Sequence, residues 1–524
     1  MRQIKNIIMS AVAAGLCLSF SSCTNDYESF NRNPNGVTKD ETQRDAYAMR
    51  SAMLNLEGWV IPTDVNTNQF TECLMGGSYG GYIADSNAGF AGKNFGQFSP
   101  ENGWSRVMFK DVIPKLFIYC GEVARATDDP IPNAVASIIK VSGIQRVTDC
   151  YGPIPYSQVG KDGQITAAYD SQEQVYNLMF EQLNAAIDVL TQNRTADFSD
   201  KADRVYGGNV TKWIKYANSL KLRMAMRISK VAPAKAQQMA EEAVNHEVGT
   251  MTSNDDNAEL TLVSTNPFEI IMYEYNGGDS RVSADITTYM NGYNDPRREK
   301  MFTKTTFGGL VDNGYFGIRS GIAIPGGSIA HAYSNYIVAT DSKLMWMNAA
   351  EVAFLKAEGA LRNWNMGGTA KEFYEQGVKL SFAQWGANGA DAYLADNTSM
   401  PASYKDPAEL NTYSGATSQI TIKWEDGDFE KSLERIITQK WLANFPLGQE
   451  AWAEYRRTGY PMLMPVVVNN SAGVVNSARG ARRLAYPQEE RLNNAENYVN
   501  AVGLLGGADN MATDLWWAKS NIQR

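Results

Sequence analysis

The stretch "QKWLANFPLGQEAWAEYRRTGYP", Gln439 to Pro461, sets Trp441, Phe445, Trp452, Tyr455 and Tyr460 around an Arg456–Arg457 pair. Aromatic faces beside guanidinium groups can grip a sugar or a peptide, and they can equally fill the core of a helical protein. Spacing decides between the two. Trp441 and Phe445 stand four apart, just before Pro446, which ends a helix because it forces its predecessor out of the helical region. Trp452 and Tyr455 stand three apart on a following helix that begins near Gly448. Each pair shares one face, the mark of helix packing rather than of an open platform. Arg457, three residues after Glu454, is placed to pair with it on the exposed side of that helix. The stretch reads as frame, and a ligand is to be sought elsewhere.

The same apolar spacing recurs along the chain. It predicts helices over Asp45–Trp59, Trp104–Ala126, Ala134–Cys150, Gln172–Leu190, Thr211–Ser229 and Ala234–Asn245. Others follow over Trp346–Trp364, Thr369–Trp385, Glu430–Asn444, Gly448–Thr458 and Glu489–Val502. Short turns join several into pairs, similar to tetratricopeptide units, although the repeat's Trp-Leu-Gly-Tyr pattern is not evident. The expected fold is mainly α, one helical domain over residues 41–524. Three loop excursions interrupt it, at 76–104, 264–340 and 387–425. The first two are rich in glycine and aromatics, and long loops of that kind in a compact protein are usually functional.

Residues 1–22 have the form of a lipoprotein signal peptide. Arg2 and Lys5 precede the apolar run Ile7–Phe20, which falls short of the roughly 20 residues of a membrane-spanning helix. "LSFSSC" then places small residues before Cys23, the expected lipidation site and mature N-terminus. Residues 23–40, polar and rich in Asn, Asp and Pro, read as a lipidated tether. Across 524 residues the net charge is −9, with no basic cluster of the kind nucleic acid requires. Cys73, Cys120 and Cys150 lack metal-site spacing, and a Cys120–Cys150 bridge is left open.

No catalytic set stands out. The two histidines, His246 and His331, are isolated, and H-E-x-x-H is absent. "GGSYG" at Gly76–Gly80 satisfies G-x-S-x-G, but lacks the strand before and the helix after that a nucleophile elbow needs. Asp255, Asp256 and Glu259 are hard oxygen donors of the type that hold Ca²⁺, without the 12-residue loop pattern. No cofactor or metal is expected, a structural Ca²⁺ at that loop being the one option left open.

"IIKVSGIQRVTDCYGPIPYSQ" (Ile138–Gln158) resembles the helix-plus-turn signature of the SusD/RagB lipoproteins of Bacteroidetes. "NDPRREKMF", "GYFGIRSG", "AEVAFLKAEGALRN", the opening stretch and "RRLAYPQEERLNNAENY" follow in that family's order, across nearly the whole mature chain. The motif "NFPLGQ" departs from it, where relatives often carry a glycine-rich turn without this proline. The resemblance implies a lipid-anchored protein of the outer membrane at the cell surface, with a SusD-like, tetratricopeptide-like scaffold. It further implies a non-enzymatic lid on a SusC-like TonB-dependent β-barrel transporter, holding oligosaccharide or peptide for uptake. A pure interaction scaffold of the transporter and a surface hydrolase are the alternatives.

Sugar recognition needs aromatic platforms ringed by polar groups. The first loop region offers Tyr79, Tyr82 and Trp104, with Asn87 as a polar partner. Trp104 also heads a helix, where the family resemblance implies a packing tryptophan. The second offers Tyr273, Tyr275, Asn276, Arg281, Tyr315, Arg319 and Tyr333; Tyr315 and Arg319 sit in a family motif, where fixing the turn is the alternative role that the resemblance implies.

Overall fold

The computed structural model describes residues 46–161, 166–308 and 314–518; Cys23, the signal peptide and the tether lie outside them. The chain enters as α1 (Tyr47–Glu57). Then Val65–Asn68, the wider π-helical Gln69–Gly77 and Ser78–Gly80 run on as α2. Gly81, in the left-handed region at φ 74°, turns α2 into β1 (Ile83–Asp85). The turn Met108–Val112 leads into α3 (Ile113–Ala126). Next comes α4 (Pro130–Tyr151), whose first turn is closed by Asp129 accepting from the Ile131 N–H at 2.9 Å.

A two-stranded antiparallel ribbon, β2 (Ile154–Pro155) with β3 (Tyr169–Asp170), precedes α5 (Gln172–Gln192). Then come α6 (Val210–Arg227), α7 (Pro233–Val244) and β4 (Ala258–Leu260). The middle of the chain supplies β5 (Ser280–Val282), α8 (Ala284–Gly292) and β6 (Leu344–Met347). The last part is α9 (Ala349–Leu361), α10 (Ala370–Gln384), α11 (Phe429–Ala443), α12 (Gly448–Thr458), α13 (Gln488–Asn493) and α14 (Ala495–Leu505). Thr369 and Glu372 close α10 with reciprocal side-chain bonds to backbone N–H groups.

The helices pack in series: α3 on α4, α4 on α5, α5 on α6, α6 on α7 and α9, and α9 on α10 and α11. The expected pairs α4–α5, α6–α7 and α9–α10 are all present, and the fold is mainly α. Two local expectations are corrected. Trp346 belongs to β6, paired antiparallel with β4, and the helix starts only at Ala349 because Asn348 accepts from the Glu351 N–H at 2.7 Å. Residues 76–80 are not loop but the end of α2, buried against α12. A Cβ on Gly80 would lie 2.5 Å from the Gly448 carbonyl oxygen, so glycine is what lets the two backbones meet.

The ionic groups of the opening stretch lie inside the molecule, which overturns the exposed Glu454–Arg457 pair. Both residues are buried, and Arg457 grips Glu454 and Glu358 at 2.6 Å each. Lys440 reaches Glu454 at 2.6 Å, and Arg227 joins Glu454, Glu450 and Asp149. This network ties α4, α6, α9, α11 and α12 together. Buried charges persist only when paired and hydrogen-bonded, so removing one partner here would leave another buried and uncompensated.

Candidate ligand-binding surface

The β1–β5 ribbon positions the site. Its register pairs Ile83 with Val282 and Asp85 with Ser280, and side chains alternate across it. Beyond its end, the turn at 275–279 reverses the chain through Asn276 (φ 54°), Gly277 (φ 78°) and Gly278 (φ 110°). Arg281 holds this turn from inside. Its guanidinium donates to the carbonyls of Met272 (3.1 Å), Ser280 (2.9 Å) and Gly277 (2.9 Å).

Buried Asp279 is the centre of the polar half of the surface. Its carboxylate accepts from Asn87 Nδ2 (2.7 Å), Asn276 Nδ2 (2.8 Å) and Gln69 Nε2 (2.7 Å). Three amides from three separate segments are thereby oriented by one anion. Asn87 also accepts from the Gly89 N–H at 2.8 Å, which folds the turn that presents Phe90. Gln69 sets the place of its neighbour Phe70. Phe70 stacks on Trp104 with centroids 5.3 Å apart, and Phe90 meets the same indole edge-on at 5.1 Å. Lys93 Nζ lies 5.7 Å from that ring. All three rings are partly exposed. The Tyr275 hydroxyl stands 3.5 Å from Asn66 Oδ1 at the same end.

Asp85, beneath this surface, is buried, and its Oδ1 has no hydrogen-bond partner. Burial, reinforced by the neighbouring Asp279, pushes its carboxyl up to about 7. It carries a proton at mildly acid pH, when an ordinary aspartate would not.

The sequence-derived candidates thus divide. Asn87, Trp104, Tyr275 and Asn276 come together here. Tyr82 does not: it is 0% exposed, its hydroxyl donates to the Trp441 carbonyl, and its ring stacks on Trp441 at 5.5 Å. Tyr79 is buried against Trp452, Phe95 and Phe98. Both were expected as loop platforms and are core: Tyr79 lies within α2, and Tyr82 follows the Gly81 turn that leads from α2 into β1. Arg281 supports the turn from below rather than meeting solvent. Buried Arg319 donates to the carbonyls of Asn411 and Pro465, and Tyr333 donates to Asp406 at 2.6 Å. Tyr315, half-buried, stacks under Arg298. Tyr273 is 39% exposed and its hydroxyl is tied to the Tyr336 carbonyl at 2.6 Å. Phe70, Phe90, Gln69 and Asp279 were missed; only Asp279, in "NGGDS", carried a signal, as a polar residue beside a glycine turn.

Ser78 Oγ, within G-x-S-x-G, is buried and bonded to Ser320 Oγ at 3.0 Å. Among the described residues no group of three His, Cys, Asp or Glu is placed to hold a metal ion. In the Ca²⁺ candidate loop, Asp256 is occupied by Lys215 at 2.9 Å and by the Thr252 N–H at 3.0 Å. Cys120 and Cys150 are free thiols, not a disulfide. No described helix is long and apolar enough to cross a membrane.

A family model described as the SusD and RagB outer-membrane lipoproteins matches residues 29–518. The crystal structure of a SusD homologue from Bacteroides uniformis is 52% identical, covering 90% of this chain and 100% of that chain at a TM-score of 0.87. One from Bacteroides ovatus is 44% identical, over 91% and 100%, at 0.86. A chitin-binding SusD homologue from Flavobacterium johnsoniae is 38% identical, over 90% and 99%, at 0.85. No curated protein matches the chain. With the family model spanning the described body and these structures superposing along nearly its full length, the chain belongs to the SusD-like family of outer-membrane lipoproteins.

Proposed function

We propose that the protein is a non-catalytic glycan-binding lipoprotein of the cell surface, and that the Trp104–Asn276 surface is where the glycan sits. The carrying observation is the junction of three partly exposed rings with an amide cluster organised by Asp279. Pyranose C–H faces pack on aromatic rings, while hydroxyls bond to fixed amides. Because Asp279 pre-orients Asn87 and Asn276, little side-chain entropy remains to be lost on binding. The chitin-binding homologue supports an oligosaccharide ligand over a peptide. Cys23 carries the lipid in this reading, and a SusC-like TonB-dependent barrel receives the cargo.

Titration calorimetry of the mature protein against chitooligosaccharides, maltooligosaccharides and xylooligosaccharides tests the proposal. We expect one class to bind, with Trp104→Ala weakening it about tenfold or more, equivalent to about 1.4 kcal/mol. Undiminished affinity in Trp104→Ala would move the site elsewhere. New reducing ends in the incubated glycan would sink the non-catalytic reading.

A further inference from the structure

A second opening, a cleft of about 930 Å³, lies against α3, and none of the rings or amides of the aromatic–amide surface lines it. One wall is a single stripe of α3 and the turn before it: Lys110, Pro114, Phe117, Ile118, Gly121 and Arg125. Those positions recur at three- and four-residue intervals, so they share one helix face. The opposite wall is formed by Pro155, Val159 and Pro487, with Asn493 and Asn494 at its rim. While the remainder of α3 packs on α4, this face is left open, and Ile118 is 47% exposed.

The chemistry of the stripe is not that of a sugar site. Lys140 lies 5.3 Å from the Phe117 centroid and Tyr156 packs across that ring, and among the described residues no fixed amide cluster of the kind at Asp279 accompanies it. Pro114, Pro155, Pro487, Ile113, Ile118 and Val159 supply the apolar part of the cleft. Charge supplies the second indication. The carboxylates lining the cleft are engaged: Glu489 with Arg106, and Glu490 with the Tyr169 hydroxyl (2.7 Å) and Asn494 (3.0 Å). Lys110 and Arg125, at the two ends of the stripe, make no ion pair among the described residues. In a chain of net charge −9, two open cations bracketing an apolar stripe call for a partner with carboxylates. Fifteen residues of helix separate them by roughly 20 Å, the reach of an extended segment of about six or seven residues.

We propose that this cleft docks an extended acidic segment of a protein partner. Apolar side chains of the segment rest on Pro114, Phe117 and Ile118, and its carboxylates meet Lys110 and Arg125. The inference does not rest on the glycan reading.

The test is fluorescence anisotropy on the whole mature protein with a labelled Glu-Val-Pro-Ile-Pro-Val-Glu peptide as probe, beside its Gln-for-Glu counterpart. Saturable binding of the acidic probe is expected, with the Gln peptide about tenfold weaker. Ile118→Asp should weaken the acidic probe about tenfold, and Lys110→Glu and Arg125→Glu each about fivefold, more at low salt than at high. All three side chains are exposed, so melting curves should match wild type. The proposal is overturned if the acidic probe does not saturate, if both peptides bind equally, or if the three variants bind like wild type. Displacement of the probe by an oligosaccharide would reassign the cleft to glycan. Self-association that Ile118→Asp abolishes would reassign it to a second copy of this chain.

Discussion

At Tyr82, one hydroxyl bonds the end of α2 to α11 by donating to the Trp441 carbonyl, while the Trp441 indole N–H returns a bond to the Gly80 carbonyl at 2.7 Å. Tyr82→Phe removes one of these reciprocal bonds inside the core. It should cost about 1 kcal/mol in urea unfolding and leave glycan affinity unchanged, since the ring is remote from solvent. Loss of ligand affinity without loss of stability would contradict the core assignment. Asp85 gives a pH signature. Its carboxyl is raised from an ordinary 3.8 to about 7, so the folded state holds a proton that the unfolded chain releases. The stability this contributes is full below about pH 4 and is lost as pH rises through about 7. Asp85→Asn keeps the neutral shape without the titration. Its melting temperature should match wild type near pH 4 and exceed it by a few degrees at pH 8; a gap that does not change with pH would refute this.

Among the elements, the contact of α2 with α12 is the tightest constraint. Gly76 and Gly80 face Gly448, and a Cβ at any of the three would press within 3 Å of facing backbone. Gly80→Ala must therefore push the helices apart, at a cost of about 1–3 kcal/mol, read as a lowered melting midpoint. The same contact explains why α2 was not legible from sequence. Two adjacent glycines and a third close by disfavour a helix by local propensity, and only the partner helix repays that cost. Helices whose apolar stripe meets a neighbour along their length, such as α5 and α10, were legible because periodicity and burial have the same cause. The ion pairs of α12 were misplaced for a related reason. A Glu454–Arg457 spacing looks alike on an exposed face and in a buried network, and burial is set by what α6, α9 and α11 bring to it.

On the scale of the whole molecule, the proposed anchor at Cys23 and the proposed ligand site can be tested apart. Cys23→Ala should move the protein from the outer-membrane fraction to the soluble fraction while leaving glycan affinity of the folded body intact; membrane retention of this variant would remove Cys23 as the anchor. Family membership and the helical frame followed from the sequence alone, because each is written in local runs: stripes at helical spacing, and motifs in a set order. The proposed binding surface did not follow in the same way. Asn87 and Asn276 were singled out, yet what joins them is Asp279, and what joins Trp104 to them is Phe70 and Phe90. Those residues come from segments up to roughly 200 positions apart, converging through the β1–β5 pairing. Sequence spacing carries no information on such convergence. Whether a tyrosine beside glycines lies in a loop or under a helix was decided only by the tertiary packing of α2, which buried Tyr79 and Tyr82 and left Trp104 at the surface.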